Sequence, residues 1–134
     1  MTEQKKFKAQ FLTPEGSLYE GDVVGVTVPG SLGSFQMLYN HSSIVSSLGI
    51  GEIVVEKADG DELHYAVSGG FVEMNNNHLT ILAEKAEEAS EIDKEEVMRL
   101  RQELKEKMKT LREGREEAEI ELKLIENRAK VAGI

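Results

Sequence analysis

Phe7, Ala9 and Phe11 alternate with Lys8 and Gln10, the period-two pattern of a half-buried strand. Thr13-Pro14-Glu15-Gly16 follows with Pro and Gly where a tight turn uses them. Val24, Val26 and Val28 alternate with smaller residues and run into Pro29-Gly30. A β-branched segment, Glu52 to Lys57, meets Leu63 to Val67 across Asp59-Gly60, a hairpin signal. Phe71 to Met74 and Leu79 to Leu82 flank Asn75-Asn76-Asn77, a second one. Eight to ten short strands with no helix between them predict an antiparallel β-sandwich or flattened barrel.

Near residue 83 the period changes. Val97, Leu100, Leu104, Met108 and Leu111 are spaced as one face of an amphipathic helix. Ser90 with Asp93, and Asp93 with Glu96, are cap-like pairs that mark its start. Gly114 interrupts, and Ala118, Leu122, Ile125, Ala129 and Ala132 resume the same spacing. The expectation is an α+β chain in sequence order: a β-sandwich over residues 1–84, then a two-helix hairpin over 85–134. Both helical stripes are narrow and one is built of small residues, so the hairpin should dock on something and undock at modest cost.

Composition sharpens the break. The stretch from Glu84 to Ile134 is dominated by Glu, Lys and Arg, with Gly114 and Gly133 its only glycines, whereas every aromatic residue and both prolines precede it. The net charge of −9 argues against nucleic acid, whose phosphates need a basic face. With no cysteine there is no disulfide, thiolate metal site or cysteine nucleophile. Met1-Thr2-Glu3-Gln4-Lys5-Lys6 leads into a strand rather than an apolar core of a secretory signal, and no apolar run is long enough to span a bilayer. A soluble protein of a reducing compartment is expected, reaching a membrane only through a partner.

Catalytic chemistry is not legible. His41, His64 and His78 share no ligand spacing. Gly30-Ser31-Leu32-Gly33-Ser34 lacks the lysine of a phosphate loop, and Ser68-Gly69-Gly70 reads as a bulge or a close backbone approach. Glu95/Arg99, Glu119/Lys123 and Glu126/Lys130 have the spacing of helix-surface ion pairs. One charge feature stands out: Arg99, Arg101, Lys105, Lys107, Lys109, Arg112 and Arg115 face only Glu103, Glu106 and Glu113 over the same stretch. It is either a solvated helix face or a docking surface for an acidic partner.

Leu12-Thr13-Pro14-Glu15-Gly16-Ser17-Leu18-Tyr19-Glu20-Gly21 resembles the opening strand and turn of the epsilon subunits of F-type ATP synthases. Pro29-Gly30, Gly33, His41 and Gly49 fall at that family's spacings, and Ser68-Gly69-Gly70-Phe71-Val72-Glu73 is similar to its most recognisable motif. Thr80 to Glu87, Glu91-Ile92-Asp93 and Asn127-Arg128-Ala129-Lys130-Val131 resemble its junction and closing helix. The resemblance implies a bacterial, non-catalytic central-stalk subunit of a proton-translocating synthase, peripheral on the cytoplasmic face of the plasma membrane. Its sandwich would bind gamma and rest one end on the c-subunit ring. Its helices would restrain ATP hydrolysis by extending toward an acidic segment of a catalytic beta subunit.

On this resemblance the c-ring contact falls on Ser31, Ser34, Phe35 and His41, and the inhibitory contact on Arg99, Arg101, Lys105, Lys109, Arg112 and Arg115. Ser34 and Ser43 depart from the family's loop pattern, which often has an acid and a proline there. Some bacterial members bind ATP through Ile/Leu-Asp-x-x-Arg-Ala. Here Ile92, Asp93 and Glu96 leave an acid in place of that arginine, so no tight ATP site and no cofactor is expected. The competing reading from residues alone is an adaptor or chaperone-like module whose hairpin grips a client through an exposed apolar stripe. A small barrel enzyme using His41 or His64 is a third.

Overall fold

A computed structural model describes residues 5–134; Met1 to Gln4, at the start of the predicted sandwich and of the segment read as lacking a secretory signal, lie outside the described residues. Seven strands are present among those residues: β1 (Phe7–Thr13), β2 (Gly16–Gly30), β3 (Gly33–Met37), β4 (Ile44–Ser47), β5 (Ile50–Lys57), β6 (Glu62–Asn75) and β7 (His78–Glu88). A single 3-10 turn, Ala89–Glu91, leads to α1 (Lys94–Thr110) and α2 (Arg115–Ala132). Seven strands replace the expected eight to ten because β2 and β6, of 15 and 14 residues, each run through a bend that sequence patterning reads as a break.

The long strands build the sandwich. The first half of β2 pairs with β1 and its second half with β3 and β5. The first half of β6 pairs with β5 and its second half with β4, while β7 follows it from Tyr65 to Asn75, across the bend. β1 also runs parallel to β7. The sheet order β1-β7-β6-β5-β2-β3, with β1 returning to β2, closes a flattened barrel.

Inside lie Phe7, Phe11, Val23, Val26, Met37, Ile53, Tyr65, Met74 and Ile81, and no polar or charged residue is buried among the described residues. The side chains facing this core change parity at the bends. In β2, Val23 is buried and then Val26 and Val28; the register slips between Val23 and Gly25, so Val23 rather than the expected Val24 begins the buried row. In β6 the buried pair Tyr65 and Val67 gives way to Val72 and Met74 across Gly69-Gly70.

The turns form as their residues dictate. Gly16 closes the Thr13-to-Gly16 turn at φ +135, and Asn76 and Asn77 both take positive φ, as the two central residues of a primed hairpin turn must. At Gly70, φ is +122 and a Cβ would stand 2.0 Å from the Leu82 carbonyl oxygen and 2.8 Å from the Ala83 Cα. No side chain fits there, because the obstruction is backbone.

The hairpin lies on the outer face of the same sheet. Ala66 of β6 packs with Ile92, Val97, Ala129, Val131 and Ala132 in a second, smaller apolar cluster. α2 touches β5 and β6, and α1 packs on α2. Asp93 caps α1 by accepting a hydrogen bond from the Glu96 amide at 3.1 Å, the second of the two expected cap-like pairs. Ser90 instead belongs to the 3-10 turn. Gly114 starts α2 from the left-handed region at φ 71, which glycine adopts freely.

Gly70→Ala should lower unfolding stability by about 3 kcal/mol or more, measured by urea titration, because it combines a positive φ with a backbone clash. Burial beside Phe11, with help from the Glu88 and Glu91 charges, pushes the Tyr65 hydroxyl up to about 12. The unfolded value is about 10. Between the two, the folded chain keeps a proton that the unfolded chain has released. The stability this reflects is therefore fully present below pH about 10 and is lost toward pH 12, by at most roughly 1.4 kcal/mol per pH unit. Tyr65→Phe should flatten that alkaline slope in the same titration.

Candidate functional site

Alternation in the second half of β6 and in β7 sends Val72, Met74, Leu79 and Ile81 inward, and so sends Phe71 and Leu82 outward. The two are cross-strand partners, Leu12 of β1 is registered beside Leu82, and Val45 of β4 lies opposite the next outward residue, Glu73. Phe71, Leu82 and Val45 are 59%, 51% and 69% exposed. Single exposed apolar residues are ordinary, but Leu12, Leu82 and Phe71 form a registered row across three strands, with Val45 diagonal to Phe71 on β4, where Ser47 is the registered partner. Sequence inspection did not single it out. The available signal was two adjacent apolar residues, Phe71-Val72 and Ile81-Leu82, in strands that otherwise alternate.

The candidate c-ring residues are not brought together. Ser31 sits at the β2–β3 turn with its hydroxyl 2.6 Å from that of Ser47, next to the fully exposed Leu32. Ser34 is exposed at the start of β3, opposite Pro29. Phe35 is half-buried against the sandwich core and its ring covers Gly30, so it serves packing first. His41 lies beyond the far end of β3, where its ring Nδ1 is 2.8 Å from the Ser42 carbonyl oxygen; the neighbouring Asn40 amide donates to Asn77 Oδ1. Ser31, Leu32 and Ser34 therefore form one end of the sandwich, with His41 at the other.

At the junction of the hairpin and the sheet, Ile92 is buried and Asp93 is committed to the helix cap. Glu96 faces Arg128 of α2 at 3.9 Å, and Arg128 donates to both oxygens of Glu87 on β7 at 2.8 and 3.4 Å. The next residue back, Asn127, donates to the Gly51 carbonyl at 2.9 Å. A groove of about 730 Å3 opens beside this junction, and Glu15, Glu87, Glu91 and Glu121 outnumber Lys85 and Arg128 along it. An acid-rich lining with its arginine already paired to carboxylates opposes a polyphosphate.

The basic stretch divides into distinct arrangements. Arg99 pairs forward with Glu103 at 3.1 Å rather than back to Glu95, and Lys109 pairs with Glu106 at 3.1 Å. Arg101 and Lys105 reach across to Glu126 of α2, each at 3.5 Å, so Glu126 faces α1 instead of Lys130. Arg115 donates to the Met108 carbonyl across the inter-helix turn, and Arg112 is exposed within it. The buried members of the helical stripes, Val97, Leu104, Ala118, Ala129 and Ala132, are covered within the protein; Met98 and Ile120 are the large apolar side chains left exposed on α1 and α2. No continuous apolar stripe of the kind a client-gripping hairpin needs is exposed.

The histidines remain apart. His64 lies between Glu52 and Glu62 at 3.2 and 3.3 Å on the open surface, and no group of three or more acidic, histidine or cysteine side chains is placed to hold a metal among the described residues. No helix among those residues is long and apolar enough to cross a membrane.

Comparison with known proteins agrees with this fold. A family model described as the ATP synthase Delta/Epsilon chain, beta-sandwich domain, matches residues 6–89. The ATP synthase epsilon chain of Bacillus subtilis is 40% identical over 78% of this chain and 78% of its own length. That of Bacillus velezensis is 34% identical over 96% of this chain and 98% of its own. Among solved structures, a chain of the Euglena gracilis mitochondrial ATP synthase (OSCP/F1/c-ring) superposes with a TM-score of 0.82 at 24% identity, covering 95% of this chain and 81% of that one. A chain of the Tetrahymena thermophila mitochondrial ATP synthase central stalk and c-ring gives 0.61 at 14% identity, covering 98% and 99%.

ATP titrated calorimetrically into the chain should show no binding tighter than about millimolar, since phosphate would have to displace carboxylates from Arg128. A micromolar constant would refute the assignment of Glu96 and Arg128 to each other.

Proposed function

Because the chain belongs to the ATP synthase Delta/Epsilon family and matches bacterial epsilon chains along nearly its whole length, we propose that it is the central-stalk subunit that fastens gamma to the c-subunit ring. It couples rotation driven by protons to the catalytic head and contributes no catalytic group of its own. Its place is peripheral, at the cytoplasmic face of the membrane, held there through the complex. The unit read as residues 1–84, whose last strand runs on to Glu88, acts as the binding unit, and the helices of 85–134 act as the regulatory hairpin.

The observation that carries the reading beyond family membership is the outward row of Leu12, Leu82 and Phe71, with Val45 diagonal to it. An apolar row on an otherwise well-packed sandwich is suited to a lasting protein contact, whose centre is apolar and depleted in charge. We assign it to gamma. The c ring takes the end of the sandwich carrying Ser31, Leu32 and Ser34; Phe35 supports that turn from beneath, and His41 is too far along β3 to share it. The hairpin's cations, Arg99 to Arg115, are assigned to the acidic surface of a catalytic beta subunit in a restrained state.

The purified chain should co-elute with its gamma subunit at micromolar concentration. Phe71→Glu combined with Leu82→Glu should abolish co-elution and leave the thermal melt of the isolated chain within a few degrees, because both side chains point to solvent. A wild-type chain that elutes apart from gamma would overturn the assignment.

A further inference from the structure

Three consecutive residues of α2 bind three different neighbours. Asn127 holds β5 through the Gly51 carbonyl and Arg128 holds β7 through Glu87. Glu126 points the other way, to α1, where its two carboxylate oxygens meet Arg101 Nη1 and Lys105 Nζ, each at 3.5 Å. Asn127 and Arg128 thus fasten the hairpin to the sandwich, Arg128 also facing Glu96 of α1 at 3.9 Å, while Glu126 is given over to α1.

Arg101 and Lys105 belong to the basic stretch assigned above to an acidic partner. In the folded hairpin they face a carboxylate of their own chain. We propose that Glu126 is an internal stand-in for that partner: it occupies Arg101 and Lys105 while the helices are paired, and releases them only when α1 and α2 separate. This inference rests on the reading of the basic stretch as an acidic docking surface. It adds the competition that sets when the surface is offered.

Electrostatics favour a reversible exchange. Glu126, Arg101 and Lys105 have side chains 44%, 29% and 52% exposed, so each pair is worth little alone and is sensitive to salt. One carboxylate serving two cations concentrates that small energy at one residue. An acidic segment presenting several carboxylates outcompetes a single one once the helices part. Arg99 and Lys109, paired along their own helix with Glu103 and Glu106, are not uncovered by that separation. The exchange is therefore specific to the two residues that span the hairpin.

The experiment uses the full chain with one fluorophore on each helix, and a short poly-glutamate peptide as the probe. Glu126→Gln should raise the open population of the hairpin, and the affinity for the peptide, by about two- to tenfold each at low salt, with both effects fading at about 1 M salt. Glu119→Gln removes the same charge from an exposed site on α2 and should change neither by a comparable factor. In the Glu126→Gln background, Arg101→Gln with Lys105→Gln should take back the gain in peptide binding. Equal effects of Glu126→Gln and Glu119→Gln would overturn the proposal while leaving the docking surface standing. A peptide that binds no variant at low salt would overturn both.

Discussion

The architecture depends on one place where a side chain is forbidden. At Gly70 the backbone of β7 comes so close that even a methyl group would overlap the Leu82 carbonyl. That approach lets β6 bend without ending, pair with β5 on one side of the bend and β4 on the other, and exchange which of its residues face the core. Above the bend the outer face carries Ala66, small enough for α2 to lie against it. Below the bend it carries Phe71, which is left exposed beside Leu82. A single backbone constraint thus separates a surface used internally from one left open.

Much of this was legible in the residues. The change of period near residue 83, the tight turn at Thr13 to Gly16, the two hairpin turns, the Asp93 cap and the glycine between the helices all rest on local chemistry, and local chemistry is what a sequence displays. The strand count was less accessible, because a strand that bends through glycines looks like two strands until its hydrogen-bond partners are known. Val23 rather than Val24 begins the buried row of β2 for a related reason: a register slip is a property of the pair, not of either strand. Ion pairs were the least legible. Spacing suggested Glu126 with Lys130 and Glu95 with Arg99, yet Glu126 spans to the neighbouring helix and Arg99 turns to Glu103. Several carboxylates lie within reach of each long cation, and only the helix packing chooses.

The candidate site shows the same division. The acid at Glu96 was visible as a departure from an ATP-binding pattern, but its pairing with Arg128, and Arg128's with Glu87, required the two helices and β7 to be assembled. Ser31, Ser34, Phe35 and His41 are near one another in sequence, and the short strand between them carries Ser31 and His41 to opposite ends. Proximity along a strand is separation in space, since each residue advances the chain by about 3.3 Å.

The shared strands also have a mechanical meaning. Two sheets held together only by side-chain packing can slide past one another, because apolar contact resists separation better than it resists shear. Here β2 and β6 each run from one side of the sandwich into the other, and β1 ties β2 back to β7. Sliding the layers would require breaking backbone hydrogen bonds along a ladder, many at once. The sandwich is accordingly a stiff block against twisting as well as against compression, and the helical attachment, docked on its outer face through α2 and the turn before α1, adds nothing to that stiffness that the strands do not already supply.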